Sequence, residues 1–375
     1  MSPRAGRWRA PTCLLAALSI LLGPTLARAE NAILLWGNYY LERSSRVISP
    51  MVGVAMDLPQ DTQIELSYLV DNITSASGTF APPTESGLPP SEPFQEFRQE
   101  LRVDLARKLT DIFSLGVNAR YSFEPDYTSL TYGLSGAATL FEENTTVSVT
   151  AQRQDDGIHC RGNNVEDTLE TWRLAATVSQ VILPQLTAGL TFETDLLEGY
   201  TENCYRNENH PPTRERFALG GQLAYRFRRT RTTVRGGYRY YWDDWRIEAH
   251  TLTLEVFQRI SPNLEIIPQL RFHAQSRVNF RDFIDRDGIT YVTEDPKLFA
   301  LGTTGVGLRV VWRLGFLAGG PLDALAGATV HPRYIFYAQR NHLELNPVRI
   351  LDPQPGDRTR YGDAHIAQLG ITIPY

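Results

Sequence analysis

The sequence predicts an all-β protein folded as a transmembrane antiparallel up-and-down β-barrel of about sixteen strands. Three observations support this prediction. Apolar residues recur with a period of two along most of the chain, and many of the alternate residues are charged. The connections between the periodic segments are short at one end of the predicted barrel and generally longer at the other. Together these features indicate strands with one apolar face and one polar face.

The N-terminus has the features of a secretory signal peptide. Three arginines lie within the first nine residues, an apolar run occupies residues 13–26, and Ala27-Arg28-Ala29 follows. The apolar run is shorter than the roughly 20 residues that a membrane-spanning helix needs. We therefore expect cleavage after Ala29, which makes 1–29 the signal peptide and 30–375 a single outer-membrane β-barrel domain.

Residues 217–227 illustrate the alternation. Phe217, Leu219 and Leu223 share one parity, whereas Arg216, Gln222 and Arg226 lie on the other. Successive side chains of a strand point to opposite faces, so the segment is predicted to be a strand. The same pattern occurs in residues 113–122, 186–195 and 264–277. The mean hydropathy of −0.27 agrees with a barrel, because lipid-facing and lumen-facing residues alternate and their average is polar.

Segment length and the charges on the polar face favour a membrane barrel over a soluble sandwich. The periodic segments reach about ten residues or more, which suits a tilted strand that crosses a bilayer. Their polar faces carry charges that a packed sandwich core would not accept without partners. We therefore expect short periplasmic turns at one end and long extracellular loops at the other.

The connections can be counted along the chain. Seven short turns are predicted at 58–61, 109–111, 141–144, 183–185, 228–230, 261–263 and 315–323. Eight other connections are predicted at 43–45, 74–92, 124–127, 155–167, 199–214, 243–245, 277–297 and 339–363. Fifteen connections join sixteen strands; fourteen is the alternative, because the first hairpin is the least regular. An even number returns the C-terminus to the side of the N-terminus.

The C-terminal residues resemble the signal by which outer-membrane barrels are recognised for insertion. A polar residue, a glycine and two apolar or aromatic residues occupy the corresponding places: Gln368, Gly370, Ile373 and Tyr375. This resemblance implies a location in the bacterial outer membrane, with outer-membrane lipid and the barrel-assembly machinery as partners. Pro374 is unusual at this position, since proline cannot donate a ladder hydrogen bond.

The polar face of the strands provides the candidate functional surface. Its lumen-facing charged candidates are Glu96, Arg98, Glu100, Arg102, Asp104, Arg120, Arg216, Arg226, Arg235, Arg239, Arg271 and Arg309. Such charges form either an ion-paired interior or the wall of a water-filled pore. A barrel of about sixteen strands is wide enough for a channel unless loops fold inward. The favoured hypothesis is a porin-like channel for small polar solutes; the alternative is a non-conducting structural or loop-presenting barrel.

Residues 238–254, YRYYWDDWRIEAHTLTL, combine aromatic, acidic and histidine side chains. Tyr and Trp favour the boundary between hydrocarbon and water, so an aromatic girdle is predicted to comprise Tyr238, Tyr240, Trp242 and Trp245. A sharper hypothesis is a hydrolase at the extracellular rim, in which Asp243, Asp244 and His250 polarise a water as in omptin-type proteases. No second acidic or histidine pair occupies a matching place, and we therefore do not expect an enzyme.

Two cysteines, Cys160 and Cys204, remain after the predicted cleavage. An exported protein meets an oxidising compartment, and a disulfide between them is predicted. Two free thiols and a metal pair with His159 and His210 are the alternatives.

No cofactor or metal is expected, although the acidic loop at residues 282–294 has oxygen ligands that calcium accepts. The net charge of −5 does not suggest nucleic acid as a partner, and the sequence indicates no oligomeric state.

Residues 238–254 and 199–206 together resemble an uncharacterised bacterial family known only as domain of unknown function 3570. Shorter stretches at residues 47–50, 67–71, 75–77, 126–129 and 274–276 resemble it as well. The resemblance covers most of the mature chain. It implies an exported β-rich envelope protein and provides no activity, ligand or catalytic residue. Cys204 stands where that family has proline, which suggests that the cysteine is a local addition.

Overall fold

The computed structural model describes residues 31–42, 45–75, 94–160, 164–203, 208–280, 283–284, 290–293, 295, 298–340 and 363–375. The predicted signal peptide lies outside these residues. Within the described part of the chain, no helix has the length and apolar character that crossing a membrane requires.

Sixteen antiparallel strands form one closed barrel. In chain order they are β1 (Ala32–Glu42), β2 (Ser45–Leu58), β3 (Thr62–Ser75), β4 (Phe94–Lys108), β5 (Phe113–Glu124), β6 (Tyr127–Leu140), β7 (Thr145–Cys160), β8 (Val165–Leu183), β9 (Leu186–Gly199), β10 (Thr213–Phe227), β11 (Thr232–Asp243), β12 (Glu248–Arg259), β13 (Leu264–Gln275), β16 (Leu301–Arg313), β17 (Thr329–Arg340) and β18 (Ala364–Pro374). Two short strands, β14 (Phe283–Ile284) and β15 (Thr290–Tyr291), form a separate sheet. The predicted fold class and strand number are confirmed.

The first and last strands close the barrel. β1 pairs with β18 from Ala32 opposite Pro374 to Glu42 opposite Ala364, without a register shift. Each remaining barrel strand pairs with the strands that precede and follow it in the barrel. The topology is therefore up-and-down, and β1 begins at the same end of the barrel at which β18 finishes.

The outer surface of the barrel is apolar. Large exposed side chains such as Leu134, Leu223, Leu190 and Val149 recur at alternate positions of the strands and are 54–65% exposed. Residues of the opposite parity face the lumen and are mostly polar, as Ser114, Asn118 and Arg120 are on β5. An apolar band outside and a polar interior are the surface pattern of a barrel in a membrane.

The seven predicted short turns join consecutive strands at the end where β1 begins and β18 finishes, which we call the turn end. They occupy residues 59–61, 109–112, 141–144, 184–185, 228–231, 260–263 and 314–328. The last one is longer than predicted and contains two 3-10 turns, Gly315–Leu317 and Asp323–Leu325. In the first one, Gln60 and Asp61 both have positive φ, the arrangement that matches the twist of a tight hairpin.

The other eight connections lie at the opposite end, the loop end, and several of them are shorter than predicted. The connection predicted at 155–167 is strand up to Cys160 and again from Val165. β7 and β8 contain 16 and 19 residues, more than the roughly 9–11 that cross a bilayer. Both strands therefore extend beyond the apolar band, where acidic residues such as Asp155 and Asp167 remain in the ladder.

Pro374 fits the end of β18 without the loss of a hydrogen bond. The N–H of Tyr375 donates to the Asn31 carbonyl, so the backbone nitrogen of the preceding residue points away from β1 and towards β17. β17 begins at Thr329, which lies opposite Thr372. No ladder partner faces position 374, and proline is tolerated there.

Candidate functional site

The lumen-facing charges are segregated by sign around the barrel. All twelve predicted lumen-facing candidates lie on the parity opposite to the exposed apolar residues. One arc, formed by β3, β4 and β5, we call the acidic wall. It carries six carboxylates and three arginines, with Lys108 at the turn end. They are Glu65, Asp71, Glu96, Glu100, Asp104, Glu124, Arg98, Arg102 and Arg120.

The facing arc, formed by β11, β12, β13, β16 and β17, we call the basic wall. It carries seven arginines and three carboxylates on the lumen parity. They are Arg235, Arg239, Arg259, Arg271, Arg309, Arg313, Arg333, Asp243, Glu255 and Glu265. In the ring of sixteen strands, β4 lies eight positions from β12, and β3 lies eight positions from β11. The two walls therefore face each other across the lumen.

Ion pairs on the acidic wall run along the wall. Arg98 lies 3.4 Å from Asp71, 2.5 Å from Glu100 and 3.9 Å from Glu124. Arg102 donates to Asp104 with atoms 2.6 Å apart. Each of these pairs joins residues on one strand or on adjacent strands, so the pairs organise the surface of the wall without spanning the lumen.

The basic wall is organised in the same way. Arg235 pairs with Glu255, and its guanidinium lies 4.9 Å from the centre of the Phe257 ring. Arg309 lies 5.9 Å from the same ring, and its Nε is buried without a hydrogen-bond partner among the described residues. Arg333 donates to Gln269 at 3.0 Å, two strands away. This wall therefore keeps an excess of positive charge close to the lumen.

A recess of about 280 Å³ opens in the lumen wall between β7 and β11. Its charged lining residues are Arg173, Glu193, Asp195, Arg216 and Arg239, and Gln152 and Tyr241 also line it. Arg239 pairs with Glu193 at 2.8 Å, and Arg173 lies 3.9 Å from Asp195. The recess thus combines three guanidinium groups with two carboxylates.

Three of the four predicted girdle residues stand on the outer face of β11. Tyr238, Tyr240 and Trp242 alternate there, and the rings of Tyr240 and Trp242 stack with centroids 5.3 Å apart. The Tyr238 hydroxyl lies 2.5 Å from Nδ1 of His250 on the neighbouring strand. This outward aromatic group has the amphipathic character of residues at a membrane–water boundary.

Trp245 does not belong to the girdle, so its predicted membership was wrong. It is 5% exposed, and its indole N–H donates to the Thr213 carbonyl at 3.0 Å. The residue lies in the connection after β11, where strand alternation no longer decides which way a side chain points. The Trp245 ring therefore packs into a buried apolar cluster formed by the loops and does not face lipid.

The loop end carries a packed unit that we call the loop cap. Its buried core comprises Trp245, Ile247, Val278, Phe280 and Leu298. The rings of Trp245 and Phe280 meet edge to face at 4.9 Å, and His210 contacts both. These residues come from three connections, 200–212, 244–247 and 276–300. The sequence offered no periodic signal for the cap, because its members are dispersed along more than 80 residues of loop and strand.

A buried ion pair joins the loop cap to the barrel. The Arg214 guanidinium donates to Asp243 Oδ2 at 2.6 Å, and the two side chains are 8% and 0% exposed. Asp243 also accepts from the Tyr241 hydroxyl at 2.8 Å and from the Ile247 N–H at 2.7 Å. Arg214 lies 4.2 Å from the centre of the Trp245 ring. Asp243 is therefore saturated with donors, and its position on the lumen parity places the cap on the inner side of the rim.

The three residues of the hydrolase hypothesis do not converge. Asp243 is buried on the inner face and held by Arg214, whereas His250 lies on the outer face of β12 beside Tyr238. Asp244 accepts from the Glu215 N–H at 3.0 Å. Desolvation raises the pKa of the Asp244 carboxyl, and the hydrogen bond from Glu215 opposes that shift. The arrangement explains these residues as structural groups of the hairpin.

Cys160 lies at the end of β7, is 3% exposed and is disulfide-bonded. The free-thiol and metal-pair alternatives therefore do not apply to this residue. Its predicted partner, Cys204, lies outside the described residues, and the pairing stays a prediction.

Asp282, Asp285, Asp287 and Glu294 of the acidic loop lie outside the described residues as well. The described ranges contain no group of three or more His, Cys, Asp or Glu side chains suited to hold a metal ion.

The four residues of the predicted insertion signal lie on or directly after β18. Gly370 faces Trp36 of β1, and a Cβ at position 370 would lie 2.2 Å from the indole ring. Ile373 faces outward, and Tyr375 is 64% exposed. A larger residue at 370 would therefore have to displace the Trp36 ring, whereas the terminal aromatic side chain makes little contact that would explain it.

Deletion of Tyr375 is expected to reduce the amount of folded barrel in the outer membrane several-fold. The folded state would lose one backbone hydrogen bond, worth about 1 kcal/mol. A loss of folded barrel larger than this change in stability explains would reflect recognition during assembly. Surface abundance and heat-modifiable electrophoretic mobility measure the effect. Tyr375→Phe is the matched control and should assemble normally. Normal levels of the deletion variant would show that the residue is only the end of a strand.

The family model described as Protein of unknown function (DUF3570) matches residues 84–171 and 161–341. The chain is similar in structure to a bacterial polysaccharide outer membrane secretin, with a TM-score of 0.52, 9% identity, and coverage of 92% of this chain and 98% of that one. It is similar to CdiB from Acinetobacter baumannii, with a TM-score of 0.52, 9% identity and coverage of 92% and 60%. No match was found among curated proteins. At these identities the solved structures establish an outer-membrane-type barrel fold alone.

Proposed function

We propose that this protein, which belongs to the DUF3570 family, is a porin-like channel for small polar solutes in the bacterial outer membrane. The observation that carries the proposal is the pair of oppositely charged walls that face each other across the lumen. Among the described residues, the ion pairs of the two walls run along each wall, as expected of a sixteen-stranded barrel with a water-filled centre.

Charged rings and walls are the means by which pores select solutes. Fixed charges on low-dielectric walls raise the local concentration of oppositely charged groups and orient dipolar ones. An acidic wall opposite a basic wall favours polar and dipolar solutes over apolar ones. The proposed setting includes outer-membrane lipid around the apolar band, the barrel-assembly machinery during insertion, and a loop end that faces the cell exterior.

A non-conducting barrel is the second candidate function, and the loop cap favours it. The cap packs on the inner side of the rim, beside the lumen residues Arg214 and Asp243. Loops that fold into the lumen plug some wide barrels. In this alternative, the barrel presents its loops to partners and transports nothing. Asp243 and His250 give the rim-hydrolase hypothesis no support, because they face opposite sides of the barrel wall.

Recording of single channels in planar bilayers tests both candidates. The purified, folded protein should produce stable conductance steps in KCl, and the reversal potential in a salt gradient reports the charge of the permeant ion. A folded barrel that inserts without conductance would contradict the channel and favour the closed alternative.

Neutralising one wall at a time should change ion selectivity in opposite directions. Glu65→Gln with Glu100→Gln removes negative charge from the acidic wall and should shift permeability towards chloride by about twofold. Arg271→Gln with Arg309→Gln should shift it towards potassium by a similar factor. Glu143→Gln, in an exposed turn, is the control and should leave the reversal potential unchanged. Equal selectivity in all variants would show that these walls do not line the conducting path.

A further inference from the structure

We propose that the recess around Arg216 is a subsite that binds the carboxylate group of a small organic acid in the lumen. The inference deepens the proposed channel function by naming a chemical class of solute. It rests on that function only for the route by which the solute enters the lumen, since binding to the recess can be measured without transport.

Arg216 differs from the arginines beside it, because Arg173, Arg214 and Arg239 each have a carboxylate within 4.0 Å. It stands on β10 between Asp195 of β9 and Asp243 of β11, directly opposite each in the ladder. Asp243 is occupied by Arg214, and Asp195 lies 3.9 Å from Arg173. Among the described residues no ion pair within 4.0 Å is found for Arg216, and its buried Nε has no hydrogen-bond partner there.

An unpaired buried donor on a guanidinium is costly, because the group has lost water without gaining a partner. The recess beside it is open to the lumen and large enough, at about 280 Å³, for a small organic molecule. A carboxylate can accept two parallel N–H groups from an arginine, the geometry that this side chain favours most. The Nε itself has almost no accessible surface, so a carboxylate in the recess would bind the part of the guanidinium that lines it.

The charge balance of the recess selects among anions. Arg173, Arg216 and Arg239 carry three positive charges, and Glu193 and Asp195 carry two negative charges. The surplus of one positive charge matches a monoanionic carboxylate. A phosphate dianion would carry excess negative charge next to Glu193 and Asp195. These two carboxylates also disfavour polyanions, so the expected ligand is a small monocarboxylate.

Binding to the detergent-solubilised, folded barrel tests the subsite. Saturation-transfer NMR with butyrate should show binding, whereas butyramide, which has the same shape without the charge, should not bind. Inorganic phosphate should compete poorly. Arg216→Gln is expected to weaken butyrate binding at least about tenfold, and Arg216→Lys, which keeps the charge without the planar fork, should bind with intermediate affinity.

Arg226→Gln is the matched control, because Arg226 lies on the same strand and the same face but does not line the recess. Folding of each variant is verified by heat-modifiable mobility. Native binding by Arg216→Gln, or an equal loss in Arg226→Gln, would overturn the subsite. If the barrel conducts ions but does not bind butyrate, the subsite is wrong and the channel stands. If it binds butyrate in the Arg216-dependent way without conductance, the subsite stands and the channel is wrong.

Discussion

Replacement of Asp243 with alanine is expected to release the loop cap from the barrel rim. The substitution leaves the Arg214 guanidinium buried without its counter-ion and removes the acceptor of the Tyr241 hydroxyl and the Ile247 N–H. Removal of one partner of a buried pair typically costs about 3–5 kcal/mol. Amide hydrogen exchange in residues 244–247 and 276–280 should accelerate strongly, whereas exchange in the barrel strands should remain slow.

Two further variants define what that result means. Asp244→Ala removes an exposed carboxylate of the same turn, which accepts one backbone N–H from Glu215, and should cost about 1 kcal/mol or less. Arg214→Met combined with Asp243→Leu replaces the pair by apolar groups and should restore part of the protection, because no charge is left buried alone. Unchanged exchange in Asp243→Ala would show that the apolar core holds the cap without the ion pair.

Substitution of Gly199 by alanine should be the most disruptive single methyl addition at the base of the cap. Gly199 has φ of +123°, and a Cβ there would lie 2.2 Å from the Thr168 carbonyl oxygen. The Tyr200 N–H donates to that same oxygen at 2.9 Å, so relief of the clash would also weaken this hydrogen bond. Backbone strain of this kind costs about 1–3 kcal/mol. The expected result is a lower unfolding temperature and faster exchange around residues 168 and 200.

Gly221→Ala provides the control for added side-chain volume. A Cβ at position 221 would meet no atom within 4 Å, and the glycine has no positive φ. Its stability should therefore match that of the native chain within about 0.5 kcal/mol. If Gly199→Ala were equally stable, the backbone at 199 would have to adopt a different conformation from the one described.

The barrel could be predicted from sequence because its signal is local. A period of two assigns each side chain to a face, and the parity of Phe217, Leu219 and Arg216 is the same in the strand as in the sequence. The short turns could be predicted equally well, because a tight connection between two strands allows few backbone conformations. Sixteen strands and the lumen parity of the charged candidates follow from these two local properties.

The loop cap could not be predicted for the opposite reason. Trp245, Phe280 and Leu298 are brought together by packing between distant segments, and no periodicity relates them. An aromatic residue at a hairpin tip therefore has the same sequence signature whether it faces lipid or turns inward. Strand ends were also uncertain, because β7 and β8 continue through acidic residues once they leave the apolar band.

Three of the stretches that resemble the family, 199–206, 238–254 and 274–276, include residues at the base of the cap, whereas the others come from earlier segments of the chain. Gly199, Asp243 and Trp245 belong to these three, and so does Ser276, whose hydroxyl accepts from the Glu248 N–H at 2.8 Å. These three stretches therefore contain residues that fold three connections over one side of the rim. The charged lumen surfaces, by contrast, are spread over many strands and form no compact motif.

Closure by β1 and β18 constrains how the chain can fold. Other barrel strands pair with neighbours along the chain, but the hydrogen bond from Gln368 to Asn38 spans 330 residues. Until β18 pairs with β1, the edge of β1 and the edge of the most recently added strand have unpaired backbone groups, which lipid does not satisfy. Contacts so distant in sequence form slowly. Without β18 the remaining barrel strands thus have no arrangement in the bilayer that pairs both edges, so closure of the barrel waits for β18.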